Sequence, residues 1–99
     1  MKDLSTLRGN INEIDNKIVE LWAQRMECSL KIAEYKKENN LPVFDEKREK
    51  ELLDRVGAMA GDVLDHYCRE FYEKIMEISR NYQEDYFSKE NKWKLCTDF

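Results

Sequence analysis

The sequence predicts an all-α fold, a subunit of three helices with the first much the longest. Three observations carry this. Only three glycines and one proline punctuate 99 residues. Charged residues make up 38% of the chain, which favours helices over strands and turns. Apolar residues recur at alternating steps of three and four, the spacing of a helix face. A chain of this length is one small domain, and a single core of that size is marginal on its own.

The first helix is predicted from Leu4 to about Asn39, a span with no proline and with Gly9 as its one glycine. Leu4, Leu7, Ile11, Ile14, Ile18 and Leu21 form a coiled-coil-like stripe, and the same steps continue through Arg25, Cys28, Ile32 and Tyr35. Asn39 and Asn40 suit a left-handed C-terminal turn before Pro42. Asp45 is a good N-cap for a second helix over 46–56, with Leu52, Leu53 and Val56 on its apolar side. The stretch "GAMAGD" reads as a short glycine-punctuated connector. A third helix runs from about Leu64 to Tyr86. Its inner stripe is Leu64, Cys68, Phe71, Ile75, Ile78 and Tyr82, with Tyr72, Met76, Ser79 and Gln83 as a second stripe beside it. Residues 87–99 keep no period, so the expected organisation is a helical domain over 1–86 and a tail over 87–99.

Length sets the expected assembly. A helix of about 35 residues is roughly 52 Å long, whereas a compact monomer of this size has a radius of gyration of about 13 Å. Helices two and three cannot wrap helix one. An intertwined homodimer, with the stripe buried against its own copy, is the expected architecture.

Composition excludes several classes. The formal net charge of −4 argues against nucleic-acid or membrane-surface binding, which would want a basic excess. No apolar run spans a bilayer, and the N-terminus lacks the apolar core of a signal peptide, so a cytoplasmic protein is expected. Cys28, Cys68 and Cys96 lack metal-ligand spacing and read as free thiols, small core fillers in a reducing compartment. His66 has no partner at suggestive spacing and reads as structural or surface. With no phosphate loop, metal motif or nucleophile motif, neither metal nor cofactor is expected.

Polar residues stand where apolar ones belong. Arg25 occupies a slot on the first stripe. Either its stem packs while its head reaches water, or its guanidinium is held in the bundle to bind an anion. Ser29 and Lys36 lie on roughly the same face, with Lys36 about 16 Å along the axis from Arg25. Leaning together, Arg25 and Lys36 could enclose a small dianion; a solvated Lys36 is the plainer alternative. Arg8 is about 25 Å down the same helix. In an antiparallel pair of long helices it comes near Arg25 of the other subunit, and taken singly it is a surface residue. Ser79 and Gln83 supply uncharged hydrogen bonds to the same pocket if their stripe faces helix one, and otherwise are flank residues. Asp45, Arg48 and Glu49 open helix two, and either start it or touch a ligand.

Taken together these residues resemble the all-helical chorismate mutase family. "LRGNINEIDNKIVELWAQR", "IAEYKKENNLPVFDEKREKELL" and "IMEISRNYQ" match its three pattern blocks in order, over about residues 4–86. The resemblance implies a three-helix subunit intertwined as a dimer. It implies that Arg8 of one subunit and Arg25 of the other bind substrate carboxylates, and that Lys36 and Gln83 hydrogen-bond the ether oxygen. It likewise implies that Arg48 and Ser79 make further carboxylate contacts and that Glu49 accepts from the ring hydroxyl. Asp45 takes the helix-start position, where the ring hydroxyl or the backbone amides of the pocket are expected. On this reading the opening of helix two does both jobs.

The implied substrate is chorismate, and its conversion to prephenate is an intramolecular [3,3] rearrangement requiring no nucleophile, metal or proton shuttle. Orientation of the reacting chain and stabilisation of the breaking ether oxygen suffice, and arginines clamp carboxylates bidentately. The connector between helices two and three is shorter than is usual in the family and holds two glycines, and the tail after Phe87 has no counterpart in the pattern. An isochorismate pyruvate-lyase shares this fold and much of the cationic site; Glu49 favours the mutase, because an acceptor for the ring hydroxyl suits chorismate. A non-enzymatic helical dimer is the third reading, and it would not require Arg25 in the stripe.

Overall fold

The computed structural model describes the backbone of residues 3–97 and the side chains of residues 3–88, so the Cys96 thiol and the tail's last two residues lie outside the described residues. Three helices follow in order, α1 (Leu4–Glu38), α2 (Glu46–Ala60) and α3 (Asp65–Thr97), with no strand among the described residues.

Asp3 starts α1 by accepting a hydrogen bond from the Thr6 backbone N–H at 2.8 Å. That bond holds the Asp3 carboxyl below its ordinary pKa, so the cap is complete at neutral pH and is lost as acid protonates it. The expected stop at the two asparagines is present. Asn40 takes the left-handed conformation at φ 56°, the Leu41 N–H donates to the Lys36 carbonyl at 2.7 Å, and the Asn40 N–H donates to Lys37. Together these bonds satisfy the last carbonyls in a Schellman arrangement.

Asp45 caps α2 as expected, accepting from the Arg48 N–H at 3.1 Å. The helix does not end at Val56 but at Ala60, because the two glycines of "GAMAGD" do different things. Gly57 is helical and buried. A methyl group there would lie 2.6 Å from the Arg69 Nε, so the absent side chain is what lets Arg69 cross the α2 surface. Arg69 donates to Asp65 at 2.6 Å and to Asp54 of α2 at 2.8 Å. These carboxylates, Asp65 foremost, raise the guanidinium above the usual arginine pKa. Gly61 is the terminator, with φ 86° and ψ 166°. The connector is therefore only 61–64, and α3 begins at Asp65.

The third helix runs to Thr97 rather than stopping near Tyr86. Residues 87–97 contain neither glycine nor proline, and a helix needs no apolar period to continue. Its passage beside the end of α1 is fastened by the Tyr86 hydroxyl to Glu34 at 3.3 Å and by Lys37 over the Phe87 ring at 4.6 Å.

The core is small. Leu52, Val56 and Met76 form its centre, with Leu53, Cys68 and Tyr72 against them. The second half of α1 adds Met26 and Ala33. The face of α3 that turns inward is the one carrying Tyr72, Met76, Ser79 and Gln83. Of the expected inner stripe only Ile75 is buried, while Leu64, Phe71, Ile78 and Tyr82 remain exposed. The reason is geometric, since α3 packs on α2 and on the second half of α1, and α1 and α2 do not pack on each other. Cys68 is half-buried, but Cys28 is exposed rather than a core filler. His66 is a surface residue, 3.1 Å from Glu70.

Along the first half of α1, Leu4, Leu7, Ile11, Ile14, Ile18 and Leu21 are between 46% and 63% exposed. Nothing among the described residues covers them, and the radius of gyration is 18.0 Å against about 13 Å for a compact domain of this size. An apolar groove of about 520 Å³ continues the stripe, lined by Ile18, Val19, Trp22, Phe71, Tyr72 and Ile75 among others.

Gly61→Ala tests the terminator. Its backbone lies in a region that essentially only glycine occupies, so the variant should lose about 1–3 kcal/mol. Denaturant melts at matched protein concentration measure this.

Candidate active site

Every site residue expected from the sequence except Arg8 lines one cavity of about 250 Å³. Helix α1 brings Arg25, Ser29 and Lys36, the start of α2 brings Asp45, Arg48 and Glu49, and α3 brings Ser79 and Gln83. Their sequence separations dissolve because the inner face of α3 is the floor between the other two helices. Arg8 lies on the exposed first half of α1, outside this cavity.

The floor carries buried polar groups. Ser79 is 5% exposed and Gln83 8%, and the Gln83 Nε2 donates to the Ser79 Oγ at 3.1 Å. Ser29, also buried, donates to the Met26 carbonyl at 2.7 Å. Each buried group thus has a partner, as burial requires. An amide nitrogen carries two N–H donors, so Gln83 keeps one for another acceptor.

The walls are cationic. The Lys36 Nζ donates to the Val43 carbonyl at 3.1 Å, tying the 39–45 loop to α1 while leaving two of the ammonium's three donors. The Arg25 guanidinium is half-buried and lies 5.9 Å from the Tyr72 ring centroid, a cation–π contact. This is between the two expectations for Arg25, with its stem packed and its head at the cavity. Among the described residues, Arg25, Lys36 and Arg48 form no salt bridge. Asp45 already receives the Arg48 N–H, so the cap is real whatever else it does.

Glu49 is engaged by a residue that sequence reasoning missed. The Arg80 Nη1 of α3 approaches both Glu49 carboxylate oxygens, Oε1 at 2.6 Å. The Arg80 guanidinium also lies 5.1 Å from the Phe44 ring centroid. Arg80 follows Ser79 directly in "IMEISRNYQ", but 31 residues separate it from Glu49, and no local spacing links the two. Among the described residues no group of three or more His, Cys, Asp or Glu could hold a metal ion, and no helix is long and apolar enough to cross a membrane.

The cavity thus sets three cations without carboxylate partners, among the described residues, above buried amide and hydroxyl groups, in a subunit built only of helices. The pattern of the chorismate mutase type II family matches residues 7–84, and the chain belongs to that family of isomerases. It is 30% identical over 88 residues to the chorismate mutase of Methanocaldococcus jannaschii, covering 87% of this chain and 89% of that protein. It is 38% identical over 79 residues to a bifunctional chorismate mutase/prephenate dehydratase of Buchnera aphidicola, covering 78% of this chain but only 20% of that longer relative. Among solved structures, a conserved hypothetical protein from Pyrococcus furiosus is 42% identical with a TM-score of 0.68, over 81% of this chain and 93% of that one.

Proposed function

We propose that the chain rearranges chorismate to prephenate, a step toward phenylalanine and tyrosine, as a homodimer whose two sites each take Arg8 from the opposite subunit. The observation that carries this is the gathering of Arg25, Lys36, Arg48, Ser79 and Gln83 round one cavity. Free thiols at Cys28 and Cys68 support a cytoplasmic setting.

The reaction breaks an ether C–O bond as a C–C bond forms in the same molecule, so no proton or leaving group is exchanged. What is needed is a folded substrate and a counter-charge for the oxygen. Two carboxylates on the substrate suit Arg25 and Arg48, with Arg8 from the second copy completing the clamp. The spare donors of Lys36 and Gln83 suit the ether oxygen as negative charge grows on it. Ser79 sits beside Gln83 and orients it. Glu49 accepts the ring hydroxyl, and Asp45 serves the same wall of the pocket.

The direct assay is incubation of the pure protein with chorismate and, separately, isochorismate. Prephenate from the first supports the proposal. Salicylate from the second alone would make the chain a pyruvate-lyase, and no product from either would leave a helical binding module.

Arg25→Ala and Arg8→Ala should each nearly abolish turnover while the far-ultraviolet helical signal survives, a loss of roughly 2–5 kcal/mol of transition-state binding. Mixing the two variants places both substitutions in one pocket of the heterodimer and neither in the other. Activity should return to about half of wild type per heterodimer; no return despite proven subunit exchange would refute the shared site.

Gln83→Glu tests the oxygen contact. Ionised, the carboxylate has no donor and opposes the developing charge; protonated, it donates as the amide did. Activity should be lost at neutral pH and recovered on acidification between about pH 8 and 4.5, a span covering a moderately raised glutamate pKa. A flat profile parallel to wild type would mean that Gln83 does not face the oxygen.

A further inference from the structure

The proposed substrate contacts leave Arg80 without a role, although it lines the same cavity. It is neither a surface residue nor a free cation. Arg80 and Glu49 side chains are only 30% and 24% exposed, and one guanidinium nitrogen approaches both carboxylate oxygens. A glutamate at this place has a problem that an isolated one does not. Arg25, Lys36 and Arg48 line the same cavity without carboxylate partners, and attraction between unlike charges a few ångströms apart is strong when water is partly excluded. A Glu49 side chain free to turn would be drawn to those cations and would compete with an anionic substrate for them.

We infer that Arg80 is a positioning residue, an internal counter-ion that holds Glu49 against α3 and so keeps the cavity's other cations open for the substrate. This rests on the chorismate reading for its substrate but not for its geometry. Arg80 approaches from the α3 side, on the pocket floor, while α1 and α2 do not pack on each other. The first turn of α2 therefore takes its fixed position from α3. Phe44, in cation–π contact with the same guanidinium, ties the 39–45 loop to that anchor as well. A carboxylate has about four lone-pair sites, so Glu49 can receive Arg80 and still accept from a substrate hydroxyl. A lysine could neutralise Glu49, but as a point charge it lacks the planar fork of a guanidinium.

The experiment has one part that depends on turnover and one that does not. Arg80→Gln should raise KM and lower kcat/KM for chorismate by about 10- to 100-fold, the range of a charged hydrogen bond, with unchanged helicity. Arg80→Lys should restore most of it. In a Glu49→Gln background, adding Arg80→Gln should bring little further loss, because nothing remains to be positioned. Additive losses, or an unaffected Arg80→Gln, would overturn the role. Crystals of Arg80→Gln at neutral pH give the independent reading. The Glu49 carboxylate should have turned to within hydrogen-bond reach of Arg25, Lys36 or Arg48. Glu49 left in place would overturn the inference even if wild type proves inactive on chorismate, and a turned Glu49 would uphold it in that same case.

Discussion

The length of α1 is the constraint on which the rest depends. Its 35 residues are nearly matched by the 33 of α3, but the two helices meet only along the second half of α1, and its first half finds no cover among the described residues. The first half presents a continuous apolar stripe to water over several turns, more than scattered surface hydrophobes would explain. That imbalance shapes what the single chain does well. Where α1 is covered, a cavity is built. Where it is not, the chain offers a surface matched in period to another long helix, and a second copy in the proposed dimer supplies both the cover and Arg8.

The covered half is given to the site as much as to the core. Ser29, Ser79 and Gln83 are as buried as Met26, Leu52 and Val56, and among the described residues no large side chain is fully enclosed. Each replaces an apolar group that would have added burial, and each is tolerated because it is hydrogen-bonded. Among the described residues no buried side-chain nitrogen or oxygen lacks a partner. A small subunit holding a polar pocket at its centre has little hydrophobic free energy left for standing alone. The pocket and the uncovered stripe are thus two sides of one allocation of the sequence.

Much of this was legible beforehand, for definite reasons. The extent of α1, expected from Leu4 to about Asn39, follows from periodicity and the asparagine stop, and the site residues expected on α2 and α3 came from the family resemblance, since no offset within one helix relates residues on three. The turns were harder. Gly57 and Gly61 look alike in the sequence, yet one clears a path for Arg69 and the other ends the helix by its φ. The choice between two stripes on α3 could not be read from hydrophobicity, because the more apolar stripe is the one left open. Periodicity shows that a face is amphipathic, and packing decides which neighbour it meets. Arg80 was invisible for the same reason. Its partner Glu49 is on another helix, and a charged residue on a charged helix carries no local signal.

The resting assembly is the most direct test of the shared site. Sedimentation velocity of the full chain from nanomolar to micromolar concentrations, read with the thermal midpoint at each concentration, separates the alternatives. A site completed by Arg8 of a second copy predicts twice the 12.0 kDa chain mass at micromolar concentration and a midpoint that rises with concentration. A stable, fully helical monomer at micromolar concentration, with a midpoint independent of it, would contradict the intertwined dimer.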